Sequence, residues 1–199
     1  MKTIDEEKRK EIFSLIEGYL KEDLVLLEPL QFKLTESLAT ESCKVTIQLM
    51  DGEIKKTLTS SGSGIVEGIF NALKKHYSKT YKSLETVRFT DFGVKTKLKT
   101  SSLLGTNADA KCVVRLSLIN GTENSTIFVG RSRSLSGASV KAVVDAYQYY
   151  INAEKCFFRL KELIGDARNR NRGDLLSTLV YDISRIVSVT KYDDLCDKK

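Results

Sequence analysis

Ser61-Gly-Ser-Gly-Ile-Val-Glu-Gly-Ile-Phe-Asn-Ala-Leu73 decides how the rest of the chain is read. Two glycines separated by one serine open directly into an amphipathic segment, with Ile65, Ile69, Phe70, Leu73 and Tyr77 at three-and-four spacing. The spacing predicts a helix over 64–77. Glycines at its entrance permit a tight turn, and the positive end of the helix dipole points at whatever lies there. Two readings follow: a place to hold an anion or carboxylate, or simply a tight strand-to-helix turn. Gly62-Ser-Gly64-Ile-Val-Glu-Gly68 lacks the third glycine position of a dinucleotide fingerprint and the Lys-Ser/Thr of a P-loop, which disfavours nucleotide phosphate binding.

Immediately before this turn the period is two. Phe32 and Leu34, then Cys43, Val45, Ile47 and Leu49, alternate with polar residues, and Asp51-Gly52 is a hairpin signal leading into 53–60. Three strands therefore precede the helix that covers them. The layout then repeats. Residues 84–98 are extended, 112–118 alternate through Val114, Leu116 and Leu118, a turn falls at Asn120-Gly121, and 126–130 leads to a weaker glycine echo at Gly130. A second helix runs from about Leu135 past Ala153, with Val140, Val143, Val144, Tyr147 and Ile151 on its apolar face. The economical reading is an α+β fold of two tandem βββα units, since one sheet face and one helix must bury each other in each unit.

At the ends, residues 5–22 predict a helix with Ile12, Phe13, Ile16, Tyr19 and Leu20 on one side and Asp5, Glu6 and Glu7 at its start. It reads as an appendage, separated from the extended region by Pro29, the single proline. Past Ala153, Cys156, Phe157, Leu160, Leu163 and Ile164 prolong or restart the second covering helix. Gly165–Gly173 is a polar break, and Asp174 is placed to cap a last helix bearing Leu175, Leu176, Leu179, Val180, Ile183 and Ile186. The expected division is 1–28, a helical extension; 29–153, the two-unit domain; and 154–199, a helical tail.

Composition limits the functions open to such a chain. With 199 residues there is room for a sizeable core. No apolar run reaches the roughly 20 residues of a membrane helix, and the first residues carry no apolar export segment, so a cytoplasmic location is expected. Cys43, Cys112, Cys156 and Cys196 form no CxxC pair, predicting buried free thiols rather than zinc or a disulfide framework. No cofactor is expected. The net charge of +6 comes from 32 basic residues interspersed among 26 acidic ones, the pattern of a solvated surface. Only Arg168, Arg170 and Arg172 make a one-signed run, the basis of an alternative reading as a basic RNA-associated module. His76, the one histidine, sits among Lys74, Lys75 and Lys79 and reads as a surface residue. No Ser/His/Asp set or HExxH motif can be assembled around it, and no catalytic residue is assigned.

The segments SSGSGIVEGIFNAL, FTDFGVKTKL, GTNADAKCVVRLSL and VGRSRSLSGASVKAVVDAYQYYINA, in this order, resemble the C-terminal regulatory domain of α-isopropylmalate synthase and citramalate synthase, over roughly residues 30–153. The resemblance implies two βββα units per chain, paired in a homodimer, that bind an end-product amino acid of branched-chain amino acid biosynthesis as a feedback inhibitor. The family's glycine turn falls on Gly62–Gly68, where Ile65, Glu67 and Gly68 replace proline, aspartate and alanine. Its acidic-aromatic pair falls on Asp91 and Phe92, its Gly-Thr-Asp-Ala turn on Gly105, Thr106, Asn107 and Ala108, and its second glycine loop on Phe128–Ser139, with Phe128 replacing the first glycine and Arg133 adding a charge.

By that resemblance the effector, leucine or isoleucine, would give its carboxylate to the amides of Ser63, Gly64 and the Ser134 loop. Val66, Phe89, Phe92, Thr96, Ala108 and Leu135 would line the side-chain slot, and Glu67 or Asp91 would answer the ammonium. The synthases carry a metal-dependent barrel ahead of this domain, for which 199 residues leave no room. The expectation is a non-catalytic amino-acid-binding module, free-standing or a fragment, that regulates a separate synthase chain. The alternative within the same fold is a dimerisation scaffold that has lost the effector site, with Phe128 filling the space beside it.

Overall fold

The structure, a computed structural model, describes residues 3–97, 111–190 and 192. Strand β1 (Thr3–Ile4) leads into helix α1 (Glu6–Leu20), and a 3-10 turn over 21–23 leads on to β2 (Leu27–Ser37), β3 (Ser42–Asp51) and β4 (Ile54–Gly62). Helix α2 (Ile65–Tyr77) and a 3-10 turn at 82–86 precede β5 (Val87–Lys97), β6 (Lys111–Asn120) and β7 (Ser125–Ser132). Helices α3 (Leu135–Asn169) and α4 (Gly173–Val187) complete the chain. The strands form two antiparallel meanders, β2-β3-β4 and β7-β6-β5, the second extended by β1 pairing parallel to β7. The two βββα units predicted from the alternation are both present.

Each helix covers its own sheet and also touches the first strand of the other unit. In unit one, Gly68 of α2 lies on Val45 and Cys43, and Tyr77 donates to Asp51 at 3.0 Å, so α2 runs along β3 from the Cys43 end toward Asp51. Phe70 of the same helix meets Phe89 of β5, ring centroids 4.4 Å apart, and Lys74 donates to the Val87 carbonyl. In unit two, α3 lies on β6 and β7 and reaches β2. Asn152 donates to the Val25 carbonyl and accepts from the Val25 amide, both at 2.8 Å, and Gln148 accepts from the Leu27 amide. Val140 and Gly137 stand beside Pro29–Phe32. Both helices thus run antiparallel to β2, in the same direction, and lie side by side between the two sheets. The Tyr147 hydroxyl ties them by donating to the Phe70 carbonyl at 3.1 Å.

Four local expectations change. Strand β2 starts at Leu27 and contains Pro29, which is tolerated because β2 is an edge strand and its register shifts between Pro29 and Gln31. Helix α1 is part of the core: Ile12 and Ile16 are fully buried, and the Arg9 guanidinium ion-pairs with Asp145 at 3.0 Å while lying 4.8 Å above the Phe128 ring. The second covering helix continues without restarting through residue 153 to Asn169, so the polar break shrinks to 170–172 with Asn171 at φ +55°. Asp174 sits inside the first turn of α4, after Arg172 at the N-cap, and the Arg172 guanidinium at 2.8 Å lowers its carboxyl to about 2. Helix α4 turns Leu179, Asp182 and Ile186 inward, and Asp182 accepts from Tyr19 at 2.7 Å.

Asp51-Gly52 and Asn120-Gly121 are the hairpin turns anticipated, with both glycines at positive φ (+59° and +67°). Asn120 is fully buried, accepting from Thr86 at 2.6 Å and donating to Thr190 at 3.2 Å. Cys43, Cys112 and Cys156 are buried free thiols. Cys196 lies outside the described residues. His76 is half-buried rather than a plain surface residue: its ring stands edge-on to Tyr77 at 4.8 Å, and desolvation with nearby Lys56 lowers its pKa.

Candidate functional site

The glycine turn is built for close packing. Neither Gly62 nor Gly64 has positive φ; Gly64 is extended (φ −161°) and is the N-cap of α2. What forbids a side chain at Gly62 is proximity, since a Cβ there would stand 2.7 Å from the Gly68 nitrogen. At Gly68 a Cβ would stand 2.6 Å from Val45 Cγ2. The second unit uses the same device more tightly, with a Cβ at Gly130 falling 1.9 Å from the Ala138 carbonyl. The echo is not in register, however. Gly64 caps α2 two residues after Gly62, whereas Ser134 caps α3 four residues after Gly130, so the counterpart of Gly62 is Ser132.

At the first turn of α2, an orphan amide has found a partner within the chain. The Ser63 N–H and hydroxyl both donate to Glu67 Oε2, at 2.7 and 2.5 Å, and these bonds hold the Glu67 carboxyl below its usual range. This is an N-terminal acid answering exposed backbone donors. At α3, the Ser134 hydroxyl accepts from the Gly137 amide at 3.0 Å, and Leu135 is exposed.

Strand β5 carries the remaining expected residues. Its register against β6 pairs Phe89 with Leu118, Phe92 with Leu116, Val94 with Val114 and Thr96 with Cys112. Directly opposed residues share a face, so these four side chains lie on the helix-covered side. The register shift between Phe89 and Asp91 puts Asp91 opposite Ser117, on the other face. Because β5 runs antiparallel to α2, the strand beyond Phe89 passes toward the N-terminal ends of both helices. There the helices stop covering it: Phe92 is 48% and Val94 42% exposed. Edge strand β2 repeats this on the other sheet, where Leu34, on the face of Val45, is 37% exposed.

The structure therefore gathers Ser63, Gly64, Val66, Glu67, Phe92, Thr96, Ser134 and Leu135 at one end of the helical layer. Phe89 lies deeper, against Phe70, and Asp91 faces away. Ala108, with Gly105, Thr106 and Asn107, lies outside the described residues. Phe128 is fully buried between Tyr149 and Tyr150 beneath Arg9, at the α1 side of the core. The feature that sequence reasoning missed is the cationic ring of Lys111, Arg131, Arg133 and Lys141 around a cavity at the same end. These residues are scattered over 31 positions, and only the fold joins them. The three basic residues of 168–172 lie at the opposite end of α3, where Arg172 is paired to Asp174.

Two βββα units, helices side by side, with apolar edge strands overhanging the helix N-termini, define a duplicated α+β module whose chemistry is suited to assembly and binding. Among the described residues, no group of His, Cys, Asp and Glu could hold a metal ion, and no helix is long and apolar enough to cross a membrane. A family profile described as the LeuA allosteric (dimerisation) domain matches residues 5–151, and the chain belongs to that family. It is a regulatory dimerisation module, of a family that is itself non-catalytic. The match begins at the start of α1, in keeping with that helix's place in the core. No curated protein matches the chain.

Proposed function

We propose that the chain acts as a non-catalytic homodimeric sensor that binds a branched-chain amino acid, leucine or isoleucine, and regulates a separate synthase chain. The observation that carries this reading is the pairing of an uncovered apolar stripe, Phe92 and Val94, with the donor-rich first turn of α2 at the same end of the molecule. A branched aliphatic side chain takes the stripe, together with Val66 and Leu135. The ligand carboxylate takes the Ser63 and Gly64 amides, and the displaced Glu67 carboxylate pairs with the ammonium. Asp91, on the opposite face, has no part in this arrangement.

A thermal-shift series with the twenty amino acids tests it, because a ligand at about 100 times its Kd adds roughly 2.7 kcal/mol of stability. Leucine or isoleucine should raise Tm in the wild type and fail to do so in Glu67→Ala. Silence from every branched-chain amino acid at millimolar concentration sinks the sensor reading. One observation favours a second reading, a scaffold that has lost its effector: Glu67 already satisfies both Ser63 donors. That reading requires a stable dimer with no ligand response.

A further inference from the structure

Helix α4 lies beyond the family match, which ends at residue 151, and carries an apolar arc wider than its contacts fill. Leu179, Asp182 and Ile186 turn inward, and Tyr19 and Glu11 of α1 meet Asp182 and Arg185. Leu176, Val180, Ile183 and Val187 make a lateral stripe. At about 3.6 residues per turn they share an arc of about 60°, centred roughly 170° round the helix from Arg185 and so away from α1. Val180 is 46% exposed and the other three are half-buried. The next positions outward are Ser177 and Ser184, whose hydroxyls already donate within the helix, to the Asp174 carbonyl at 3.1 Å and the Tyr181 carbonyl at 2.6 Å. Covering them leaves no donor unsatisfied. The charges at the two ends of α4 are answered on other sides, Asp174 by Arg172 and Arg185 by Glu11. The face is therefore uncharged as well as apolar, unlike a helix surface that meets only water.

We propose that this stripe is a self-association surface, on which a second copy of the chain lays its own α4 antiparallel. The spacing of the four residues, four-three-four, reads the same in both directions. Antiparallel pairing about a two-fold axis at the level between Tyr181 and Asp182 sets Val180 against Ile183 of the second copy and Leu176 against its Val187, so every apolar residue is matched. The same spacing is that of a heptad seam, along which facing side chains interdigitate. A two-fold contact brings identical groups together, and an uncharged face admits this without repulsion, while the two helix dipoles run opposed. A partner of another sequence gains nothing from the two-fold spacing. One face of a four-turn helix is smaller than a standard interface, so the contact forms at high protein concentration. It is separate from the apolar edges of β2 and β5 and adds to an assembly made through them.

Sedimentation equilibrium of the full chain from about 10 μM to about 1 mM tests this, the range in which so small an interface assembles. The mass should double across the range, relative to its value at the lowest concentration. Val180→Glu, which puts a charge at the centre of the stripe, should abolish the doubling. Ser184→Glu, at an exposed rim position, should weaken the association about tenfold. Tyr181→Glu, on the far side of the same helix and 65% exposed, should keep it. Equal Tm values for these variants verify that the fold is intact. Val94→Asp on β5 should also keep the doubling, because the change is read against the low-concentration species, whether that is the homodimer proposed above or a monomer. A constant mass in the wild type, a doubling that persists in Val180→Glu and Ser184→Glu, or its loss in Tyr181→Glu or Val94→Asp would each overturn the proposal.

Discussion

At the scale of single residues, the glycines separate two jobs that look alike in the sequence. Gly130 is sealed by backbone: a methyl there meets the Ala138 carbonyl at 1.9 Å and the Ala142 nitrogen at 2.7 Å, neither of which can rotate away. Gly64 has nothing within 4 Å of its hypothetical Cβ and an extended backbone that any residue adopts. Gly130→Ala should therefore cost about 3 kcal/mol, at the upper end of overpacking effects, and Gly64→Ala should stay within about 1 kcal/mol of wild type. Chemical denaturation of the two variants checks the contrast, and similar losses in both would show that the close strand-helix approach is not the constraint. The sequence marks both positions with the same letter. Only the assembled sheet and helix reveal which one is crowded.

Asp91 teaches the same lesson by another route. Counting by twos from Phe89 places Asp91 on the covered face, but the register shift between them hands that place to Phe92. A bulge leaves no dependable trace in a hydrophobic pattern, so a strand's apolar residues can be legible while the face of a particular side chain is not. The strand alternation and α2 were readable because each unit must bury one sheet face against one helix. The two-residue β1 was not, being too short to show any period.

At the scale of elements, α3 is pinned to the 3-10 turn at 82–86 by a buried carboxylate. Glu154 accepts from the Ser83 amide at 2.9 Å and the Lys82 amide at 3.2 Å, but burial outweighs these bonds and raises its pKa above the usual 4.5. The folded state thus holds this proton more tightly than the unfolded chain does. Stability from this group is greatest below the ordinary glutamate pKa and declines as pH rises through the raised one. Glu154→Gln removes the titration while keeping one carbonyl acceptor. The stability of wild type relative to this variant should fall from pH 4 upward through the mildly acid range; a difference that grows with pH instead would refute the assignment. Asp145, also raised by burial although Arg9 opposes the shift, is common to both proteins and cancels.

At the scale of the whole molecule, the uncovered ends of β2 and β5 place Leu34, Phe92 and Val94 on the helix side of two edge strands, partly open to water. Exposed apolar edges of this kind favour association, in keeping with a dimerisation family. On the homodimer proposed above, sedimentation should give about twice 22.3 kDa. Val94→Asp, a partly exposed position, should yield a folded monomer. A dimer that survives this substitution would move the interface away from β5.

Helix α3 spans 35 residues, well past the end of the family match at residue 151. At 1.5 Å per residue it is a rod of about 52 Å, about half of it beyond the matched residues. Tyr147, Asn152 and Glu154 bond its middle to Phe70, Val25 and the 82–86 turn, so it is held to both units along its length. The hairpin with α4 thereby extends the core past the matched region, with the Arg168–Arg172 tip at the end opposite the two helix N-termini.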